Sequence, residues 1–592
     1  MNRENIDVKY RWDLSKIYDS NEKFRNDINI VKEKIKEFSK FEKIDYDENS
    51  LYEVLELSMN TNRVIEKLEV YTSLLCDEDT RKNENQALKE EISNLYSDYI
   101  KATYFIDNDI LKLDYNSIEE FYLKNSKLKD YEIYLKDMFR YKDHTLSNVE
   151  EKLLANLSKA LGNNYDTYEL LKDSDLVFPN FLVDGREYEL DGSKYSLYIE
   201  DDNREIRKGA FLDLYGVYRQ YKNVFANLIA SNVKEEEAMA KIRKYNNAIE
   251  ESMYHDELNI QVHDNLVGVI RERMGVLHRY YALKKKVLKL DELHLYDVYA
   301  NLVNNEEYKY PFEKAKETVV KALSILGNEY INTLEQGISD RWIDVYPNKG
   351  KRTGGYSSGS YDTNPYILLN YQDKYDDMST LAHELGHSMH SHYTREANPY
   401  QYGHYAIFVA EVASTVNELL LAKYVIKNSN DKNEKLFILN RMMELYRATI
   451  FRQTMFSEFE RIIYDKIGND EPLTADILSD VYYKLNQDYF GNDVLVDDEI
   501  RYEWERIPHF YYNFYVYKYA TGLSAASSIV TRLLDGSLDP KDYLAFLKCG
   551  KSKSPIDSLK VAGVDLSNKD VIISAIDMFE SIIDEFEKTY YE

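Results

Sequence analysis

With 592 residues and a net charge of −28, the chain lacks the basic footprint that a nucleic-acid partner needs, and that class is excluded. Its 21 glycines and 9 prolines are too few for an all-β or linker-rich chain, so a mainly α protein is expected, with 44% apolar residues to fill its core. The N-terminal stretch Met1–Asp7 has no apolar signal segment, and no run approaches the roughly 18 apolar residues of a membrane span. Two cysteines, Cys76 and Cys549, give no metal spacing and fit a reducing compartment. A cytoplasmic protein with no membrane partner is expected.

Residues 1 to about 20 read as an extended lead-in. From about 21 to 172 apolar residues recur every three or four positions, as in Ile28, Val31, Ile35 and Phe38, then Leu51, Val54 and Leu55. That spacing predicts about six antiparallel helices. Between 177 and 200 the dipeptides Asp184-Gly185 and Asp191-Gly192 bracket short alternating runs, predicting a small antiparallel hairpin or meander. Helices resume at about 203 and continue to about 286, and again near 311–326, with a break at Gly327. The change of texture near 200 predicts a helical N-terminal domain, 1–200, and a second domain, 201–592. A second irregular region spans 341–372: a short strand at Trp342–Val345, a Gly/Ser loop, and a strand at Pro365–Asn370 that leads into a helix. Further helices are expected at about 435–465 and 474–488, and a helical, acidic tail at 539–592. The 55 tyrosines are expected mostly as helix-packing residues whose hydroxyls reach water or a carbonyl.

The helix after that strand carries Leu381-Ala382-His383-Glu384-Leu385-Gly386-His387. Residues four apart share a helical face, so His383 and His387 can both reach one zinc ion. Glu384 reaches the same cleft and can take a proton from a water there. Asp376 and Asp377 are expected to cap this helix, and Met378, Leu381, Leu385 and Met389 to bury its apolar stripe. A third ligand is needed. The pattern with a further His six residues on fails, because Tyr393 stands there. The next helical run, from about 405 to 427, holds Glu411 among small and apolar residues, where an unpaired carboxylate is costly. Glu411 is therefore the expected third ligand, and Ala410, Ala413 and Ser414 allow a close approach between the helices. Glu418, seven residues on, is expected to orient a ligand. His390 shares the histidine face, but helical side chains all lean toward the N-terminus, so it is expected to support or pack rather than ligate. Glu396, in the loop between the helices, is a weaker ligand candidate.

His383-Glu384-x-x-His387 followed by Ala410-Glu411-Val412-Ala413-Ser414-Thr415, with Gly354-Gly355-Tyr356-Ser357-Ser358-Gly359-Ser360-Tyr361 upstream, resembles peptidase family M3, the thimet oligopeptidase group, and most closely its oligoendopeptidase F branch. The resemblance runs from Arg11-Trp12-Asp13-Leu14 to the last helices. It implies a mainly α, two-lobed helical ellipsoid with a deep central channel, one Zn²⁺ per chain, and endopeptidase action on short peptides (the EC 3.4.24 class). It also implies that His509 and Tyr517, with Tyr515 second to them, stabilise the oxyanion. Phe514 departs from the tyrosine pattern of the group. The Gly354, Gly355, Tyr356 and Gly359 loop reads either as a connection or as a wall whose backbone pairs with a peptide, strand on strand; the resemblance favours the wall. The rival reading is a helical peptide-binding or scaffold protein with a structural zinc, which four protein ligands would close and which would leave Glu384 without a task. An aminopeptidase or carboxypeptidase is a third. Monomer and small homo-oligomer both remain open.

Overall fold

The computed structural model describes residues 2–157, 161–303 and 308–592. It is mainly α, with a few short strands. By spatial contact the chain forms two compact units. One is Met1–Asp143, Glu307–Tyr424 and Ile529–Gly563; the other is His144–Glu306, Val425–Ser528 and Val564–Glu592. Compactness thus gathers stretches far apart in the sequence, whereas the expected cut at 200 divides the chain linearly.

In the first unit, the helices Glu48–Glu78 and Asn83–Thr103 pack side by side. The first starts at a reciprocal cap: the Asp47 carboxylate accepts from the Asn49 and Ser50 amides, and the Ser50 hydroxyl accepts from the Asp47 amide. Such a cap stabilises a helix by about 1 kcal/mol. Leu51, Val54, Leu55, Ile65 and Leu68 then share a core with Trp12, Tyr366 and Leu368.

The second irregular region forms a three-stranded sheet. Ile343–Asp344 runs parallel, and Tyr356–Ser358 antiparallel, to the central strand Tyr366–Leu368. Ser357 stands opposite Ile367, whose amide donates to Trp342 on the other side at 2.8 Å. The backbone N–H and C=O of Ser357 therefore point to the open edge of the sheet. The Tyr356 hydroxyl donates to Asp77 at 2.6 Å, anchoring this edge strand to the Glu48–Glu78 helix.

The helix carrying the histidine motif spans Tyr375–Ala397. Its cap position is Lys374, not Asp376 or Asp377; Asp377 reaches back instead and accepts from the Gln372 and Lys374 amides at 2.8 and 2.9 Å. Met378, Leu381, Leu385 and Met389 are buried, as their spacing requires. The following helix is Ile407–Asn428.

In the second unit the longest helix is Arg204–Ile242. The expected hairpin pairs Phe181–Val183 with Arg186–Tyr188 through Asp184 and Gly185, both at positive φ (51° and 79°), the turn that matches strand twist. Asp191-Gly192 does not turn a strand. The Asp191 carboxylate accepts from the Ser193 and Lys194 amides at 2.9 and 2.7 Å and caps the helix Gly192–Tyr198. The run expected as one helix over 435–465 is two, Lys432–Tyr446 and Gln453–Gly468, joined by a π-helical turn at Arg447–Arg452. That turn carries buried Arg447 to Glu444 at 2.8 Å and Arg452 to Glu503 at 2.9 Å; charges so buried need partners.

Candidate active site

The motif helix and the Ile407–Asn428 helix touch at Gly386. A Cβ there would lie 2.5 Å from Ser414 Cα and 2.6 Å from the Ala413 carbonyl oxygen, so only glycine permits this approach. Four residues earlier, the Asn417 amide donates to the Ala382 carbonyl at 3.0 Å, and the Asn417 side-chain oxygen accepts from the Tyr330 hydroxyl at 3.1 Å. These buried bonds fix the rotation of the two helices about each other.

That rotation brings three ligand atoms together. The Nε2 atoms of His383 and His387 stand 3.1 Å apart, with the rings nearly perpendicular at 80°. Glu411 Oε2 lies 3.5 Å from the first and 3.8 Å from the second. Each imidazole is turned from behind. His383 Nδ1 faces Glu418 Oε1 at 3.5 Å, and Glu418 is itself held by the Ser379 hydroxyl at 3.3 Å. His387 donates to the Ala410 carbonyl. With each Nδ1 engaged, each Nε2 lone pair is free to point at the common centre. Two ring nitrogens and a carboxylate oxygen, all within 4.8 Å of one another, are a donor set of the type and number that a catalytic zinc takes from protein. The fit is good.

The electrostatics follow from burial and from these neighbours. Burial alone would lower His383, but the Glu418 carboxylate against its ring, with Glu384 and Glu411 close by, carries it up to about 9. Burial and the charge on His383 bring His387 down to about 4. Glu384 is 6% exposed; burial pushes it up to about 7, against the pull of His383 and of the Ser357 amide that donates to it. A carboxyl group poised near neutrality can both take and return a proton.

His390 stays out of the cluster. Its ring is fully buried and stacks on Tyr405 at 3.7 Å and 3°, and burial holds it near 3, hence neutral. Glu396 faces His392 at 3.8 Å instead. In the Gly/Ser loop, Gly354 has φ of 85°, and a Cβ on Gly355 would press on Thr380 at 3.0 Å; Asn370 closes the loop by donating to the Arg352 and Gly354 carbonyls, both at 2.9 Å. Ser357 and Ser388 hydroxyls meet at 2.8 Å and tie the edge strand to the motif helix. Ser388 gave no sequence signal, being a small polar residue inside a helix.

His509, Tyr515 and Tyr517 belong to the second unit. His509 is half-buried, its Nε2 3.3 Å from the Tyr519 hydroxyl, its ring beside that of Tyr515. Tyr517 is fully buried and its hydroxyl donates to Asp256 at 3.2 Å. Between them Asn513 and Phe514 both take positive φ, 41° and 56°, an elbow that breaks the tyrosine-rich run before the helix Tyr517–Asp535 begins.

The profile of peptidase family M3 matches residues 197–578. The chain belongs to peptidase family M3. A second profile, oligopeptidase F, matches residues 109–178 of this M3 chain. Oligopeptidase PepF of Bacillus subtilis is 42% identical over 99% of the chain and 88% of its own length. Among solved structures, a Chlamydophila abortus protein superposes with a TM-score of 0.92 at 33% identity, covering 99% of both chains. Oligoendopeptidase-F from Enterococcus faecium superposes with a TM-score of 0.74 at 32% identity, covering 96% of this chain and 99% of that one. As an M3 member the chain is a metallopeptidase.

Proposed function

We propose that this M3 metallopeptidase is a zinc endopeptidase that cuts internal bonds of short oligopeptides. The observation that carries the reading is the convergence of His383 Nε2, His387 Nε2 and Glu411 Oε2 on one point, with the Glu384 carboxyl on the next residue of the same helix. One zinc ion would be held by those three atoms; when bound it supplies a Lewis acid beside the scissile carbonyl and makes a water easier to deprotonate.

The chain's own residues then have distinct tasks. Glu384 accepts the proton of the attacking water and passes it to the departing amine. Glu418 and the Ala410 carbonyl keep both imidazoles in the tautomer that leaves Nε2 unprotonated. The edge strand Tyr356–Ser358 presents the outward C=O of Ser357 for pairing with an extended peptide, while the Ser357 N–H donates to Glu384; the loop with Gly354, Gly355 and Gly359 continues that wall, and Tyr356 serves by anchoring the strand to Asp77. From the family resemblance we assign His509 as a donor to the carbonyl oxygen as it becomes negative, with Tyr517 assisting, for which Tyr517 must exchange Asp256 for the substrate. Both cysteines are free and buried, which supports a reducing, cytoplasmic setting. Among the described residues no helix is long and apolar enough to cross a membrane.

The test is cleavage of a fluorescence-quenched peptide blocked at both ends. The reading predicts cleavage that stops with a zinc chelator and returns with zinc. Cleavage only of peptides with a free terminus would make the enzyme an exopeptidase; a tightly held zinc with no cleavage at all would favour the structural-zinc reading.

A further inference from the structure

The open edge that pairs with peptide is closed at one end by an arginine. The paired strand ends at Ser358; carrying its alternation one residue past that end makes the backbone groups of Gly359 the next to face the edge after Ser357. The Gly359 carbonyl is already taken: Arg395 Nη2 donates to it at 2.7 Å. Arg395 sits seven residues beyond Ser388 on the motif helix, so the two share a face. Ser388 holds Ser357, and Arg395 holds Gly359. The glycine is required here because a Cβ at 359 would fall 2.7 Å from the Asn364 carbonyl oxygen, with Arg395 Nη1 also close at 2.9 Å.

The rest of this guanidinium has no partner. Nε and Nη1 of Arg395 are buried and make no hydrogen bond, and no carboxylate among the described residues forms an ion pair with it. Glu66 is the acid whose field reaches it, together with the Tyr405 hydroxyl. Glu66 is committed elsewhere, accepting from Tyr400 at 2.8 Å and from Asn62 at 3.1 Å through Oε1; its Oε2, like the Ser360 hydroxyl, is buried and unpartnered. Tyr405 faces the Ser391 hydroxyl at 3.0 Å. In a chain with net charge −28, a cation left with two free donors is costly unless a ligand completes it.

We propose that Arg395 ends the peptide-pairing edge and grips a carboxylate of the bound peptide, either its chain terminus or an acidic side chain. Occupying the Gly359 carbonyl denies the peptide its next backbone bond, so pairing stops there. Nε and Nη1 are buried in this structure, so the guanidinium must turn outward to meet a carboxylate of the bound peptide, which it matches in shape and charge. Arg395 is thus a specificity-determining residue, not a catalytic one. The inference rests on the peptidase reading above.

The test compares kcat/KM of the zinc-loaded enzyme on matched peptides: free C-terminal acid against C-terminal amide, and a Glu scanned along the sequence against Gln at each place. A preference for the acid on the order of tenfold is expected in one arm. The terminal pair identifies the chain end, the Glu scan an acidic side chain. In Arg395→Met the preference should collapse to parity; Arg395→Lys, which keeps charge but not the fork, should retain part of it and serves if the Met variant does not fold. Wild-type enzyme that treats acids, amides, Glu and Gln alike overturns the proposal, as does an Arg395→Met variant that keeps the preference. Failure to cleave any of these peptides would instead overturn the peptidase reading.

Discussion

Gly386 and Ser414 are the point where the two ligand-bearing helices meet, with no room at 386 for a side chain: a Cβ would fall 2.5 Å from Ser414 Cα. The position of Glu411, one turn before Ser414, depends on that contact. Gly386→Ala should force the helices apart and destabilise the fold by about 1–3 kcal/mol. Metal content should fall with it. Unfolding curves and metal analysis of the purified variant check both; an alanine variant with full metal and unchanged stability would contradict the close contact.

Glu418 faces His383 Nδ1 at 3.5 Å and is proposed to orient that ring. Replacing it with Gln removes the charge behind Nδ1 and should weaken metal affinity roughly 10–100-fold while leaving the apolar packing of the helix intact. Competition with a chelator of known affinity measures the change, and unaltered affinity would remove Glu418 from its orienting role.

Proton and metal compete for the same ring. His383 is raised to about 9 and Glu384 to about 7, against about 6.5 and 4.5 unfolded. A group raised in the folded state stabilises below its unfolded value and loses that contribution as pH climbs through its folded value. These two groups therefore withdraw stability from the metal-free protein between about pH 5 and 9, whereas His387 and His390, lowered to about 4 and about 3, add stability as pH rises to about 6.5. Metal binding requires His383 without its proton and strengthens over the upper part of that range. The gap in Tm between metal-loaded and stripped protein should widen from pH 6 to pH 9; a gap that narrows would contradict these assignments.

His509 and Tyr517 should separate by readout. His509→Ala should lower kcat by about 10²–10³-fold, as loss of an oxyanion donor does. Tyr517→Phe also removes the bond to Asp256, and Lys518 keeps that carboxylate paired at 2.7 Å, so it should lower stability by about 1 kcal/mol in addition to any loss of rate. Kinetics and thermal unfolding of the two variants decide. A His509→Ala variant with wild-type kcat would dismiss that donor.

What was legible in the sequence was whatever obeys a short-range period. The four-residue spacing of His383 and His387 points to one site because helical geometry leaves little choice; Glu411 is singled out in the sequence by the cost of burying it, yet its side chain is 49% exposed, and its distance to the two rings, not burial, joins it to them. Glu418 behind His383 and the packing of His390 follow from the same period. Features set by tertiary contact were not legible. Arg395 reads as a helix-end cation suited to the macrodipole, and nothing local says that Gly359 waits for it. Asn513 and Phe514 adopt positive φ without a glycine, because the buried Glu460 carboxylate accepts the Phe514 amide at 2.7 Å and Asn513 donates to Glu236 at 3.3 Å. The cap at Asp191-Gly192 reads as a turn because Asp-Gly suits both, and only the helix that follows decides.

The proposed cleavage requires Glu384 to move the proton beside a metal held by His383, His387 and Glu411. The most direct test is the rate at which zinc-loaded Glu384→Gln cleaves an end-blocked peptide, with metal content measured on the same sample. One zinc per chain and a rate reduced by about 10²–10⁴-fold are expected. Full zinc with turnover equal to the wild type would contradict that role of Glu384.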